Sequence, residues 1–282
     1  MTSWWSLSTR KPTGKRRKRS RGRRAKGVPS PRRRDESGAS MGKQLELTPR
    51  LQLLADWVPQ GAAFADIGSD HALLPVWLVL RGRLRGCIAS DLRPEPLRRA
   101  KATARQWDVR GIQFRLCDGL SGIRPQEADV IAIAGLGGEN IAAILAKAPW
   151  TKDGKRVLLL QPMTRAEVLR RFLADNGYAI RREASARERG ILYPVMEAVG
   201  GEMSLTRGQS YGGAKLSRDP LGDRYLIETI LRLQNALAGL SRGIRTGRGS
   251  PADAERADEL RDVLTELYAM REEWRHANRP GN

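Results

Sequence analysis

FADIGSDHALLP, residues 64–75, reads as a strand that ends at Asp66, turns through Gly68 and enters a helix. A strand feeding a helix through so short a turn is the unit from which an open, largely parallel α/β sheet is wound. In such sheets ligands collect at the carboxyl ends of the strands, near the point where strand order reverses. Gly68 lets backbone approach a ligand, and Asp66 can accept hydrogen bonds from neighbouring amides or from a ligand's ammonium group. A D-x-G turn is explained equally well as a purely structural turn, so its meaning depends on its neighbours.

Those neighbours repeat the pattern. Upstream, Thr48 and Pro49 supply an N-cap and a first helical residue, Leu51, Leu54 and Trp57 form an apolar face, and Pro59 stops the helix. A strand is expected at 62–67, then a helix near 72–81, a strand at 85–90, a helix at 94–106 and a strand at 112–117. Strand 128–134 leads to helix 138–147, strand 156–161 to helix 164–176, and two strands follow near 178–186 and 191–199. Residues 44–200 therefore read as an α/β domain of about seven strands.

Two further acids stand at strand ends. Asp91 closes GCIASD, 23 positions after Gly68, where a carboxylate takes both hydroxyls of a ribose. Asp118 closes the next strand in RLCDGL and can accept from an adenine amino group. Any one of Asp66, Asp91 and Asp118 could be a helix cap. Three in register at one sheet edge point to a nucleoside-containing cofactor. A nicotinamide fingerprint is the competitor, because IAIAGLGGENI places Gly135, Gly137 and Gly138 between a strand and a helix. It fails where Asn140 replaces the third glycine and where the following strand ends in Gln161 instead of an acid. Gly135–Gly138 is expected to keep side chains clear of the place where two reactants meet. No G-x-x-x-x-G-K-[ST] occurs, which excludes a P-loop.

Beyond residue 200 the pattern changes. Residues 201–221 read as a glycine-rich linker. Leu226, Ile230, Leu233, Leu237, Leu240 and Ile244 then form a heptad seam. Leu260, Val263, Leu267, Met270 and Trp274 form a second, after a turn through Gly247, Gly249, Ser250 and Pro251. The expectation is an antiparallel α-helical coiled-coil hairpin over 222–276, with the short turn favouring pairing within one chain and hence a monomer over a dimer.

Composition narrows the function further. The net charge is +20, and residues 1–40 hold 14 Lys/Arg against 2 Asp/Glu. This stretch is expected to be a disordered basic tail, able to attract phosphates by counterion release. Arginine outnumbers lysine 41 to 10, a bias that a GC-rich genome also produces, and Met41 offers a second start. Arg81, Arg83 and Arg85 could hold an RNA backbone or simply form a solvated face. The apolar runs are far shorter than the roughly 20 residues of a membrane span, and no secretory signal is evident, so a cytoplasmic protein without membrane contact is expected. Cys87 and Cys117 lie in segments read as strands and are expected to be small buried hydrophobes. Two histidines and two separated cysteines make no zinc pattern, so no metal is expected.

LTPRLQLLADWVPQGAAFADIGSDHALLP, ASDLRPEPL, CDGL, IAGLGG and LLLQP, followed by the helical hairpin, together resemble the bacterial tRNA (adenine-22-N1)-methyltransferase family over residues 44–276. The resemblance implies a Rossmann-like class I methyltransferase, S-adenosyl-L-methionine as donor and tRNA, not DNA, as acceptor. It implies cofactor contacts from Asp66, Gly68, Asp91, Asp118, Gly119 and Gly135, with Asp70 as the catalytic carboxylate and Arg50 facing the acceptor. Departures stand at Leu73, Leu136 and Met163, where relatives carry Tyr, Met and Asn. Adenine N1 has a free lone pair, so alignment matters more than a base. Asp70 is expected to stabilise the cation formed on the ring or to accept from the exocyclic amine, although it could instead cap the helix beginning near His71. The N/D-P-P-Y segment of amino-methylating enzymes is absent after strand 128–134. An RNA-binding scaffold with an inactive core, or a methyltransferase for another acceptor, are the alternatives.

Overall fold

The computed structural model describes residues 44–278; the expected basic tail, residues 1–40, lies outside them. Seven strands form one sheet in the order β3-β2-β1-β4-β5-β7-β6. They are β1 (Ala62–Ile67), β2 (Leu84–Asp91), β3 (Ile112–Leu116), β4 (Val130–Gly137), β5 (Val157–Thr164), β6 (Tyr178–Glu188) and β7 (Ile191–Gly200). The first five pair in parallel, and β7 runs antiparallel to both β5 and β6.

A parallel strand is covered on both faces, so its sequence runs mostly apolar, with the polar residues Asp66 and Asp91 at the ligand-facing ends of β1 and β2. All six residues of β1 are buried. Side chains alternate between the faces. Ile131, Ile133, Leu158 and Leu160 pack with Ile141 and Leu145 of α4 (Gly138–Ala146) and with Leu169 and Leu173 of α5 (Ala166–Asp175). Val130, Ala132 and Leu159 pack on the other face with Leu54 of α1 (Pro49–Trp57) and with Leu74 and Leu78 of α2 (Leu73–Leu80). Helix α3 (Pro94–Gln106) buries Ala100 and Ala104 beside Val76 of α2 and Ala89 of β2.

This topology fixes the ligand crevice. The chain winds from β1 out to β3 and then returns to place β4 on the other side of β1, so the loops after β1 and β4 leave toward opposite faces and a gap opens between them. The β6–β7 turn lies at this same edge, because β7 opposes β5 and β6 therefore ends where β5 ends. Arg81, Arg83 and Arg85 lie at or just before the start of β2 and so occupy the opposite edge. Arg81 stacks over Trp77 at 4.8 Å, Arg83 donates to the Val58 carbonyl and Arg85 pairs with Asp129 at 2.6 Å. All three lie away from the crevice, and Arg85 is paired within the domain.

Residues 201–221 hold a short helix, α6 (Arg207–Gly212), and a 3-10 turn over Leu216–Arg218. Tyr211 and Leu216 are buried there, so glycine content alone misses apolar anchors that tie the segment down. Helices α7 (Gly222–Arg245) and α8 (Pro251–Ala277) pack on each other through Leu226, Ile230 and Leu233 against Leu260, Val263 and Leu267. Ser250 caps α8 by accepting from the Asp253 amide at 3.2 Å. The apolar contact thins toward the connecting turn, where Ile244 is 38 % exposed.

Candidate active site

Two cavities open at the carboxyl edge. The larger, about 550 Å³, is lined by Gly68, Ser90, Asp91, Asp118 and Gly119 among others. That volume lies within the range of small-molecule sites, roughly 300–1,000 Å³. The smaller, about 240 Å³, is lined by Arg50, Asp66, Ser69, Asp70, His71 and Leu73 among others. Gly68, Asp70 and Gly135 line both, so the two compartments meet at these three residues.

The larger cavity has the chemistry of a nucleoside cradle. Asp91 ends β2 and is buried; its Oδ1 accepts from the Arg93 amide at 2.9 Å, and its Oδ2 takes no protein donor among the described residues. The Ser90 hydroxyl, also on the lining, is buried without a hydrogen-bond partner. Buried polar groups are normally satisfied; the Ser90 hydroxyl is an exception, and Asp91 Oδ2 is left free to accept from a polar ligand. Asp118 stands two residues beyond the end of β3 and is held by Lys147 Nζ at 2.8 Å. Gly119 has φ +55°, and a Cβ there would lie 3.0 Å from Ile144. Cys117, read from the sequence as part of a strand, also falls beyond β3 and lines this cavity half-buried. Cys87 is buried inside β2, and burial pushes its thiol up to about 12.

Asp66 and Gly68 sit where β1 opens into the crevice. The Ser69 hydroxyl donates to Asp66 Oδ2, but burial dominates and raises the carboxyl to about 6, with a smaller contribution from nearby Asp91. Gly68 has φ +76°, a left-handed conformation that disfavours any side chain. Asp70 does not cap α2: the N-cap is Ala72, at φ 50°, without a side-chain cap bond. Asp70 Oδ1 instead accepts from Arg99 Nε at 2.8 Å, while Oδ2 faces His71 at 3.8 Å.

Across the smaller cavity, Arg50 on α1 donates through Nη1 to Gln161 Oε1 at 3.0 Å, and its Nε lies 3.0 Å from Glu188. The same Gln161 oxygen accepts from the Gly135 amide at 3.2 Å. Sequence reading used Gln161 to reject a nicotinamide cofactor and as part of the LLLQP string, without giving it a role in the site, and missed Glu188, Arg99 and Lys147. Their pairing is long-range, and no local spacing announces it. The glycine run after β4 also divides in role. Gly135, at φ +79°, lines both cavities, whereas a Cβ at Gly138 would come within 2.2 Å of the Arg165 carbonyl, so that glycine serves packing of α4 on the turn before α5. Among the described residues no group of three His, Cys, Asp or Glu side chains could hold a metal ion.

An open sheet of this order, with acids at successive strand ends around a nucleoside-sized cavity and a second compartment abutting it, defines a Rossmann-like methyltransferase. Residues 47–196 match the family described as "Methyltransferase domain". The chain is 39% identical over 186 residues to the tRNA (adenine(22)-N(1))-methyltransferase of Bacillus subtilis, which spans 66% of this chain and 76% of that protein. The crystal structure of the B. subtilis m1A22 tRNA methyltransferase TrmK is similar with a TM-score of 0.72 at 31% identity, covering 81% of this chain and 100% of that one. A Streptococcus pneumoniae protein, described as a candidate tRNA (m1A22) methyltransferase and solved with S-adenosyl-L-methionine, has a TM-score of 0.65 at 31% identity over 78% of this chain and 100% of its own. The chain belongs to the tRNA (adenine(22)-N(1))-methyltransferase family.

Proposed function

We propose that the chain transfers the methyl group of S-adenosyl-L-methionine to N1 of adenine 22 in tRNA. The observation that carries this reading is the meeting of a nucleoside-sized cavity and a second, smaller compartment at Gly68, Asp70 and Gly135, in a chain of this family. S-Adenosyl-L-methionine, when bound, supplies an electrophilic methyl group. Asp91 would hold the ribose hydroxyls, Asp118 the adenine amino group and Asp66 the ammonium end, while Gly68, Gly119 and Gly135 leave room for close approach.

In the smaller compartment Asp70 carries the chemistry. N1 of a neutral adenine needs no deprotonation, so rate comes from alignment. Methylation leaves the ring cationic, and a carboxylate beside it stabilises the charge as it develops. Arg99 holds Asp70 Oδ1, and Oδ2, 3.8 Å from His71 and without a hydrogen bond among the described residues, is left for the base. Arg50, its charge balanced by Glu188, positions the incoming nucleotide. N1 is used in base pairing, so the adenine must be unpaired or extruded to reach this compartment. An inactive scaffold has no use for such an arrangement of acids around open space. On this reading the enzyme works in the cytoplasm as a monomer, since the apolar faces of α7 and α8 are largely consumed by each other. No helix among the described residues is long and apolar enough to cross a membrane.

The test is methyl transfer from labelled donor to unmodified tRNA, with nucleosides resolved by mass spectrometry and a transcript carrying guanine at position 22 as control. The expected result is 1-methyladenosine that disappears in the control. Transfer that persists in the control overturns the site, and cofactor binding without transfer overturns the acceptor.

A further inference from the structure

A third cavity, about 260 Å³, lies between the carboxyl end of β5, the start of β7 and helix α7. It shares no lining residue with the two reaction compartments but adjoins them through Gln161. That residue binds Arg50 in the acceptor compartment and donates to the Pro162 carbonyl at 2.9 Å and toward Met163 Sδ at 3.6 Å, both on the lining of the third cavity. The β6–β7 turn makes a second connection: Glu188, paired with Arg50, stands three residues before Ile191 on the lining.

The walls are unusual for a surface. Ile191 is 54 % and Met163 36 % exposed, and Tyr193 lines the same cavity. Arg232 sits at the rim on an exposed turn of α7 without a carboxylate partner among the described residues, whereas Arg165 is matched by Glu139 and Glu167. The slot has apolar walls at Met163 and Ile191, an aromatic side chain at Tyr193 and a guanidinium at Arg232, while its carboxylate, Glu228, is taken up by Arg224 Nε at 2.7 Å; this suits a planar group attached to an anion. Its volume falls just below that of sites that take a whole small ligand, roughly 300–1,000 Å³.

We propose that this groove seats the base of a nucleotide adjacent to the target adenine, with Arg232 on a neighbouring phosphate. The inference rests on the reading of tRNA as substrate. Extruding the target costs its neighbours a stacking partner, and proteins recover such splayed bases on aromatic and apolar side chains flanked by arginine. The groove lies on the sheet edge that holds the acceptor compartment, within reach of the same stretch of RNA.

The test uses full-length enzyme and transcribed tRNA, either intact or with an abasic site immediately 5′ or 3′ of adenine 22. Ile191→Asp and Arg232→Glu, both at exposed positions, are expected to raise the KM for tRNA about tenfold, with kcat and donor affinity within twofold of wild type. One abasic transcript should show a similar rise with wild-type enzyme, and Ile191→Asp should add nothing further on it. An unchanged KM in both variants, full binding of both abasic transcripts, or additive penalties would overturn the groove assignment. If the Arg232 variant alone loses affinity, the surface reads phosphate only and base seating is wrong. Wild-type enzyme that leaves intact tRNA unmethylated overturns the substrate reading and the groove with it; methylation by wild type with unchanged variants overturns the groove alone.

Discussion

Asp66 and Asp70, four residues apart, differ in what surrounds them, and each yields a measurable expectation. Asp66 is buried and its carboxyl is raised from 3.8 to about 6. A carboxyl whose folded pKa is raised favours the folded state while protonated. Its contribution is full below pH 4, is lost as pH rises through 6, and above that leaves a buried carboxylate costing about 3 kcal/mol at most. Asp66→Asn should therefore stabilise the ligand-free protein at pH 8 and have little effect at pH 4.5, in denaturant titrations at the two pH values. An equal effect at both would remove burial as the cause. Asp70 is half-exposed and held by Arg99. Asp70→Asn keeps the shape and should retain donor affinity while lowering kcat at least a hundredfold; turnover equal to wild type would refute the charge-stabilising role. Asp91→Ala should do the reverse, weakening donor binding measured by calorimetry about tenfold or more. Asp66 and Asp91 were legible because each stands at the end of a strand whose apolar run marks its own boundary, whereas Asp70 came from the family resemblance alone. Gln161, Glu188 and Arg99 were not legible, since a hydrogen bond between residues 111 apart, such as Arg50 to Gln161, leaves no trace in local pattern.

Between elements, the part that sequence least foretold is the junction of the sheet with the C-terminal helices. Strand and helix order follow from period, and α3 falls at the expected 94–106 because Pro94 and the Ala100–Ala104 face mark it. The segment 201–221 was read as a linker from its glycines, yet it wraps around a buried ion pair. Arg170 on α5 donates through Nε to Glu183 on β6 at 2.7 Å, and through Nη1 to the carbonyls of Ser210 and Tyr211 at 2.8 and 3.2 Å. Its remaining Nη2 donates to the Tyr225 hydroxyl at 3.3 Å. Glu183 in turn accepts from the amides of Ala214 and Lys215 at 2.5 and 2.9 Å. Burial alone would lower the arginine's pKa, but Glu183 and Tyr225 more than offset this and raise it. Such a pair is costly to break from one side, since the survivor remains buried as an unpaired charge. Arg170→Met should cost on the order of 3–5 kcal/mol in urea unfolding, and adding Glu183→Gln should return part of it. If the double variant is no more stable than the single, the loss comes from packing instead of the stranded carboxylate.

Across the full chain, charge and catalysis are separable. Residues 1–40 carry 14 Lys/Arg against 2 Asp/Glu, while the acids and both reaction compartments lie within residues 50–147. Phosphate contacts made by such a stretch raise affinity without reading sequence, and each adds about 0.7–0.9 to the slope of log affinity against log salt. The tail therefore should act on how tightly tRNA is held and not on how fast the methyl moves. A protein beginning at Met41 is expected to keep the kcat of the full chain and the same loss on Asp70→Asn. Its KM for tRNA should rise at low salt, and the salt slope should fall by several such increments, measured between about 50 and 200 mM salt. Equal slopes for the two proteins would mean that these cations make no contact with tRNA. A fall in kcat with an unchanged slope would instead tie residues 1–40 to the chemical step.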